Sequence, residues 1–89
     1  AGIPGFTKAL SRETAARGIT VNSIAPGYID TDMVRDVSEE VMQEIVSHIP
    51  VGRLGTPEEV ARCVTFLAAD EAGFITGETI SVNGGHHME

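Results

Sequence analysis

The sequence predicts an α/β fold, the last part of a doubly wound parallel sheet, with two strands and three to four helices in this chain. Three observations carry that prediction. An amphipathic helix stops at Gly18 and is followed at once by a β-branched segment, residues 19–25 (ITVNSIA). A later apolar helix precedes a second short strand at residues 79–82 (TISV). Pro26-Gly27 ends the first strand sharply. Helices that alternate with strands in this way are typical of parallel sheets.

The first helix is indicated by apolar residues at spacings of three and four. Ile3, Phe6 and Leu10 form that stripe, which is typical of an amphipathic helix. Arg17 and Gly18 supply the usual stop signal, a cation beside the last carbonyls and a residue that tolerates positive φ.

Residues 19–25 are β-branched and mostly apolar, which predicts a central strand buried on both faces. Asn22 and Ser23 interrupt the run, and we expect them to satisfy neighbouring backbone groups. A central strand needs neighbours on both sides, and this chain supplies one at best. We therefore expect the segment to be part of a larger sheet.

The segment after the first strand is predicted to begin with a loop or short helix at residues 28–37. Ser38 is the expected N-cap of the next helix, which has acidic residues in its first turn and is closed by Pro50.

The clearest local signal is Thr56-Pro57-Glu58-Glu59. Thr56 fits the N-cap, Pro57 fits the first helical position, and Glu59 completes a capping box. The helix that follows is apolar over a wide arc, so we expect it to lie between two layers. Cys63 on that helix is expected to be a buried small hydrophobic residue.

Composition excludes several classes of protein. The 89 residues carry Lys+Arg 6 against Asp+Glu 13, a net charge of -7, which argues against a nucleic-acid surface. No apolar run approaches the ~20 residues of a membrane span. A single cysteine excludes an internal disulfide framework and fits a reducing compartment. We therefore expect a cytoplasmic location.

Three ordered motifs resemble the short-chain dehydrogenase/reductase superfamily. They are residues 21–33 (VNSIAPGYIDTDM), residues 53–60 (RLGTPEEV), and the run from Thr76-Gly77 to Asn83-Gly84-Gly85. Their order and spacing match over essentially the whole chain, and they are most similar to the 3-oxoacyl-[acyl carrier protein] reductase and acetoacetyl-CoA reductase branch. The resemblance implies that residues 1–89 are the C-terminal part of a single Rossmann-like domain.

The resemblance also places the family's dinucleotide-binding turn and its catalytic serine, tyrosine and lysine before Ala1. No catalytic residue is therefore expected in this segment. Tyr28 is not the catalytic tyrosine, because it follows the Pro-Gly turn and has no lysine four residues later.

For the cofactor, the resemblance implies NADP(H) rather than NAD(H), with Pro26, Gly27, Ile29 and Thr31 around the nicotinamide half. Ile29 would offer its backbone amide and carbonyl to the carboxamide, and Thr31 would donate its hydroxyl to the carboxamide or to a phosphate oxygen. On the residues alone, the same positions are a strand-ending turn and a helix cap. We expect Gly27→Val to block the ring and to leave the fold largely intact.

Residues 31–55 match the family's substrate lid. Met33, Val34 and Met42 could meet an acyl chain, and ordinary helix packing is the alternative. Arg12 is the candidate for docking an acidic acyl carrier protein, against a solvated arginine paired with a neighbouring acid. The family usually forms tetramers, so a homotetramer is expected.

The resemblance implies nicotinamide-dependent reduction of a 3-oxoacyl thioester to the 3-hydroxyacyl form, in fatty-acid or hydroxyalkanoate metabolism. Two alternatives remain open: a dehydrogenase for a sugar, steroid or small alcohol, and a non-catalytic fragment that binds a partner chain. No metal site is expected. His86 and His87 are adjacent, so their side chains diverge and fit a plain tail, and His48 has no ligand partner in register.

Overall fold

The computed structural model describes residues 2–87. In chain order the elements are α1 (Gly2–Thr14), β1 (Ser23–Pro26), α2 (Asp32–Arg35), α3 (Glu39–Ser47), α4 (Pro57–Ala68) and β2 (Thr79–Val82). Short 3-10 turns follow α1 at Ala15–Arg17 and α4 at Asp70–Ala72. The two strands and four α-helices of the described residues confirm the predicted α/β fold.

The two strands pair in parallel, with Ser23 opposite Thr79 and Pro26 opposite Val82. The hydroxyl oxygens of Ser23 and Thr79 are 2.7 Å apart across the pair. Parallel strands need a long crossover connection, and here it runs through α2, α3 and α4.

The side chain of Asn22 continues the pairing beyond the start of β1. Its Nδ2 donates to the Ile75 carbonyl at 3.1 Å, and its Oδ1 accepts from the Glu78 amide at 3.1 Å. The Val21 amide donates to Thr76 Oγ1 at 3.0 Å. The prediction that Asn22 satisfies backbone groups is therefore confirmed, but these groups are distant in the sequence and not local. For Ser23 the prediction is wrong, because its hydroxyl meets the Thr79 hydroxyl and, within residues 2–87, no backbone group.

The prediction of a strand at residues 19–25 is wrong in its bounds, and the predicted burial of both faces is not seen within residues 2–87. The strand is four residues long and starts at Ser23, and its last two residues, Ala25 and Pro26, are exposed. Within residues 2–87 it has β2 on one edge and no strand on the other. Burial of both faces and edges of β1 would require a second neighbouring strand. The described residues contain only one, β2.

The apolar stripe predicted for α1 is not the face that the helix buries. Ile3 is 70% exposed and Phe6 is 67% exposed, whereas Thr7 and Ser11 are buried. Each of these hydroxyls donates to a carbonyl of the preceding turn at 2.8 Å, so burial leaves neither unsatisfied. The small side chain of Ser11 allows a close approach to Gly77, where an added Cβ would lie 2.8 Å from Ser11 Oγ.

Little apolar surface is fully enclosed. Among the described residues, the buried hydrophobic side chains are Ile49 and Ala72, each 5% exposed. Helix α4 contacts β1, but Val64 is 51% exposed and Phe66 is 60% exposed. The prediction that this helix lies between two layers is therefore wrong for residues 2–87. Cys63, predicted to be buried, is half-buried for the same reason.

Candidate functional site

An open groove lies at the carboxyl end of β1. Its volume is about 420 Å³. Ligands of open α/β sheets bind outside the carboxyl ends of the strands, so the groove stands where a ligand is expected. It contains all four predicted cofactor contacts and one of the three predicted lid residues. The lining consists of Pro26, Gly27, Ile29, Thr31, Val34, Pro57 and Val60.

A two-bond bridge holds the turn that follows β1. The Asp30 amide donates to the Gly55 carbonyl at 2.8 Å, and the Gly55 amide donates to the Tyr28 carbonyl at 3.0 Å. Ile29 is the bridging residue, and the bonds use its neighbours' backbone groups rather than its own. Within residues 2–87 the Ile29 amide and carbonyl make no hydrogen bond. One donor and one acceptor are therefore left for a ligand.

Gly27 is required by the approach of two chain segments. Its amide donates to the Val82 carbonyl at 2.9 Å. A Cβ at position 27 would lie 2.8 Å from Asn83 Cβ and 2.9 Å from Asn83 Cα. The expectation that Gly27→Val leaves the fold intact is wrong, because the new side chain would collide with the residue that follows β2. Substitution at this position cannot separate cofactor contact from packing.

Thr31 is the N-cap of α2. Its Oγ1 accepts from the Val34 amide at 3.4 Å. A hydroxyl donates as well as accepts, so this bond leaves the Thr31 proton for another acceptor. The cap and the predicted cofactor contact are therefore compatible at one residue. Beside it, Arg35 Nη2 donates to Asp30 Oδ2 at 2.6 Å, and hydrogen bonding from this guanidinium lowers the pKa of Asp30 below its ordinary value.

The three predicted lid residues are not gathered in one place. Val34 lines the groove. Met33 is 85% exposed and lies outside the groove lining. Met42 lies on α3, half-buried, and also lies outside it. The structure thus brings one lid residue to the predicted cofactor contacts and separates the other two from them.

Arg12 is exposed on α1. It lines a shallow depression together with Lys8, Thr76 and Gly77. In the part of the chain that the structure describes, Arg12 forms no ion pair with an acidic residue. Arg12 is therefore solvated, as the alternative expects, but its pairing with an acid is not found among the described residues, and Lys8 lines the same depression.

The opposite wall of the groove is the start of α4. Thr56 Oγ1 accepts from the Glu59 amide at 3.2 Å, and Glu59 Oε1 accepts from the Thr56 amide at 2.9 Å, which confirms the predicted capping box. Arg53 donates to both carboxylate oxygens of Glu59, at 2.8 and 3.0 Å. These hydrogen bonds, led by those from Arg53, lower the pKa of Glu59 to about 2. Pro57, which lines the groove, is anchored by this network.

A stack of three rings joins distant parts of the chain. His86 lies between Tyr28 and His48, with ring centroids 5.9 and 6.3 Å away and interplanar angles of 12° and 22°. Its Nδ1 is buried and has no hydrogen-bond partner among the described residues. The prediction that His86 belongs to a plain tail is therefore wrong. No local signal could have found the stack, because the three residues are far apart in the sequence.

Within residues 2–87, no group of three or more His, Cys, Asp or Glu side chains is placed to hold a metal ion. His48 instead contacts Glu44 of its own helix, with Nε2 and Oε1 2.9 Å apart. None of the helices described here combines the length and the apolar character needed to cross a bilayer.

Comparison with known proteins covers nearly the whole chain. A family model described as enoyl-(acyl carrier protein) reductase matches residues 1–87. Acetoacetyl-CoA reductase of Rhizobium meliloti (strain 1021) is 68% identical over 89 residues, 99% of this chain and 37% of that protein. Acetoacetyl-CoA reductase of Shinella zoogloeoides is 67% identical over 86 residues, 96% of this chain and 36% of that protein.

A second group of relatives carries a different name. The 3-oxoacyl-[acyl-carrier-protein] reductase FabG of Escherichia coli (strain K12) is 56% identical over 88 residues, 99% of this chain and 36% of that protein. The chain therefore spans just over a third of the length of the curated relatives it matches.

Proposed function

The chain belongs to the short-chain dehydrogenase/reductase family, and from that membership we propose that it forms part of a nicotinamide-dependent reductase. The proposed reaction reduces a 3-oxoacyl thioester to the 3-hydroxyacyl form, in fatty-acid or hydroxyalkanoate metabolism. The relatives named acetoacetyl-CoA reductase and 3-oxoacyl-[acyl-carrier-protein] reductase support this substrate class. Residues 1–89 would be the C-terminal part of one Rossmann-like domain, with the lid at residues 31–55.

The observation that carries the proposal is the groove at the end of β1. The free amide and carbonyl of Ile29 form a donor–acceptor pair, and a carboxamide is its complement, with two N–H donors and a carbonyl acceptor. Thr31 stands two residues further on with a hydroxyl proton to donate. Pro26 and Gly27 would form the floor beneath the ring. The residues present therefore fit the nicotinamide end of the cofactor.

A bound nicotinamide cofactor supplies the hydride. This chain's residues would hold its ring in position, and the apolar side chains of Val34, Pro57 and Val60 would exclude water from the groove. None of the groove-lining residues is a general acid that could protonate the alkoxide formed by hydride transfer. We therefore place the proton donor, the family's tyrosine with its lysine, outside the described residues.

We also propose a cofactor preference, an assembly and a docking partner for this protein. NADP(H) is proposed in preference to NAD(H), with a cytoplasmic homotetramer as the working assembly. Arg12, with Lys8 beside it, is proposed to dock an acidic acyl carrier protein, since exposed cations steer an acidic partner even on an acidic chain.

The first experiment is a substrate panel on the full-length protein. Oxidation of NADPH and of NADH is followed with acetoacetyl-CoA, with a 3-oxoacyl carrier-protein thioester, and with a sugar, a ketosteroid and a small ketone. Turnover with a 3-oxoacyl thioester is expected, faster with NADPH. Turnover only with the sugar, the ketosteroid or the small ketone would overturn the substrate class. Absence of turnover with every compound and both nucleotides would overturn the proposal that the protein is a nicotinamide-dependent reductase.

The second experiment tests the groove at Thr31. Thr31→Val removes the hydroxyl and is expected to raise KM for the nucleotide by about tenfold, the loss of one hydrogen bond. Thr31→Ser retains the hydroxyl and should remain near wild type. Thr31→Val also removes a helix cap, so Ser38→Ala, which removes the cap of α3, is the matched control. An equal effect of Thr31→Val and Ser38→Ala would assign Thr31 a capping role alone.

A further inference from the structure

The tail after β2 meets the segment after α3 at short range. The Gly84 carbonyl accepts from the Val51 amide at 3.0 Å. A Cβ on Gly84 would lie 2.9 Å from Ile49 Cγ2, and one on Gly85 would lie 3.1 Å from Pro50 Cγ. Both glycines have positive φ, +62° and +93°, a conformation that other residues rarely adopt. The segment after α3 is therefore seated on a turn that favours glycine.

His86 extends this seat into the three-ring stack. Tyr28 comes from the turn after β1, His48 from the C-terminal end of α3, and His86 from the tail. Both ring pairs lie within the distance range of favourable offset stacking. His86 is the middle ring, so its removal would abolish both contacts at once.

Among the described residues, helix α3 has few other contacts. None of its residues is buried, and its contacts with the other described helices and strands are sparse. His48 is its C-cap residue, and Ile49, 5% exposed, follows at once. Within residues 2–87 the helix is thus anchored mainly at its C-terminal end.

The other end of the stack reaches the proposed cofactor site. Tyr28 precedes Ile29 directly, and its carbonyl accepts one of the two bridge bonds that set the turn. The His86 ring is therefore in contact both with the C-terminal end of α3 and with this turn.

We propose that His86 is a positioning residue that latches the lid helix α3 to the turn carrying Ile29. The latch consists of Tyr28, His48 and His86. For what the groove binds, the proposal rests on the proposed function, whereas the mechanical link between the three segments does not. The ring of His86 acts through its two neighbours and contacts neither substrate nor cofactor.

The test uses the full-length protein with His86→Ala, His86→Phe and His87→Ala. Amide hydrogen exchange is measured for residues 39–47 of α3 and residues 57–68 of α4, alongside KM and kcat. His86→Ala is expected to speed exchange in α3 by about tenfold, the value of one or two ring pairs, and to leave α4 unchanged. KM for the acyl thioester should rise more than kcat falls, because lid closure becomes less favourable.

Two variants separate the latch from general destabilisation. His86→Phe retains a flat ring in the middle of the stack and should restore both α3 exchange and KM. His87→Ala changes the adjacent exposed histidine, which is outside the stack, and should behave as wild type.

Each contrary result has one meaning. Unchanged α3 exchange in His86→Ala, or an equal increase in α3 and α4, overturns the latch. Faster α3 exchange with unaltered KM overturns the positioning role in the reaction. If α3 exchange responds as expected while wild type turns over no 3-oxoacyl thioester, the latch stands and the proposed function fails.

Discussion

Helices α3 and α4 begin with the same hydrogen bond and are then held differently. Ser38 Oγ accepts from the Val41 amide and Thr56 Oγ1 accepts from the Glu59 amide, both at 3.2 Å. At the third position α3 has a valine, which returns no bond. At the same position α4 has Glu59, whose carboxylate accepts from the Thr56 amide and from Arg53. Helix α4 thus has a second hydrogen bond at its N-terminus, which α3 lacks. We call the network of Arg53, Thr56 and Glu59 the α4 clamp.

Packing widens this difference. Helix α4 contacts β1, and its first turn lines the groove through Pro57 and Val60. Helix α3 has no buried residue and is seated at its C-terminal end, where Ile49 follows it. A helix held by both cap and sheet suits a rigid wall, and a helix held at one end suits the proposed lid, because mobile elements are drawn from regions of low local stability.

The largest expected effect is that the difference in local stability between α3 and α4 disappears when the 89-residue chain is studied by itself. Ile49 and Ala72 are the buried hydrophobic side chains among the described residues, while Phe74 is fully exposed. Such limited burial cannot offset a backbone entropy cost of roughly 1–2 kcal/mol per residue. We expect no cooperative transition by calorimetry and equally fast amide exchange in both helices. A sharp transition would show instead that α4 and the sheet form a stable unit by themselves.

An intermediate effect is expected from removing the two caps in turn in the full-length protein. Thr56→Ala should lower the free energy of unfolding by about 1 kcal/mol, the usual value of an N-cap, because α4 is packed on the sheet. Ser38→Ala should change the global value less and speed amide exchange mainly in α3. Urea denaturation with hydrogen exchange measures both quantities. A larger global loss from Ser38→Ala would reverse the contrast between the helices.

The smallest effect is a pH dependence confined to the α4 clamp. The pKa of Glu59 is lowered from 4.5 to about 2 by its bonds to Arg53 and Thr56. A lowered carboxyl pKa stabilises the folded state above pH 4.5 and loses that contribution as pH falls from 4.5 towards 2. Glu59→Gln should therefore flatten the decline of the urea midpoint over that interval.

Glu58→Gln is the matched control for that experiment. It alters an acid of the same first turn and leaves the pair of Arg53 and Glu59 in place, so it should retain the wild-type slope. Equal slopes for wild type and Glu59→Gln would mean that the clamp contributes nothing to the pH dependence of unfolding.

Local features of the fold could be predicted from the sequence because their causes lie within a few residues. The capping box at Thr56 and the cap at Ser38 are hydrogen bonds between residues three apart. Gly18 ends the first helical segment with a φ of +74°, as its position after Arg17 predicts. Strand β2 occupies the predicted residues 79–82. Each depends on chemistry that a short window of sequence contains.

The sequence by itself determined the caps of α3 and α4, the stop at Gly18, the second strand, and the turn at residues 26–31 that lines the groove, because these are local patterns. It determined the family through the order and spacing of three motifs. Tertiary structure decided the rest. It decided that α1 buries Thr7 and Ser11, because Ser11 lies against Gly77. It also decided that His86 lies between two other rings. Contacts between residues far apart in the chain depend on how whole elements pack, and no local pattern encodes that packing.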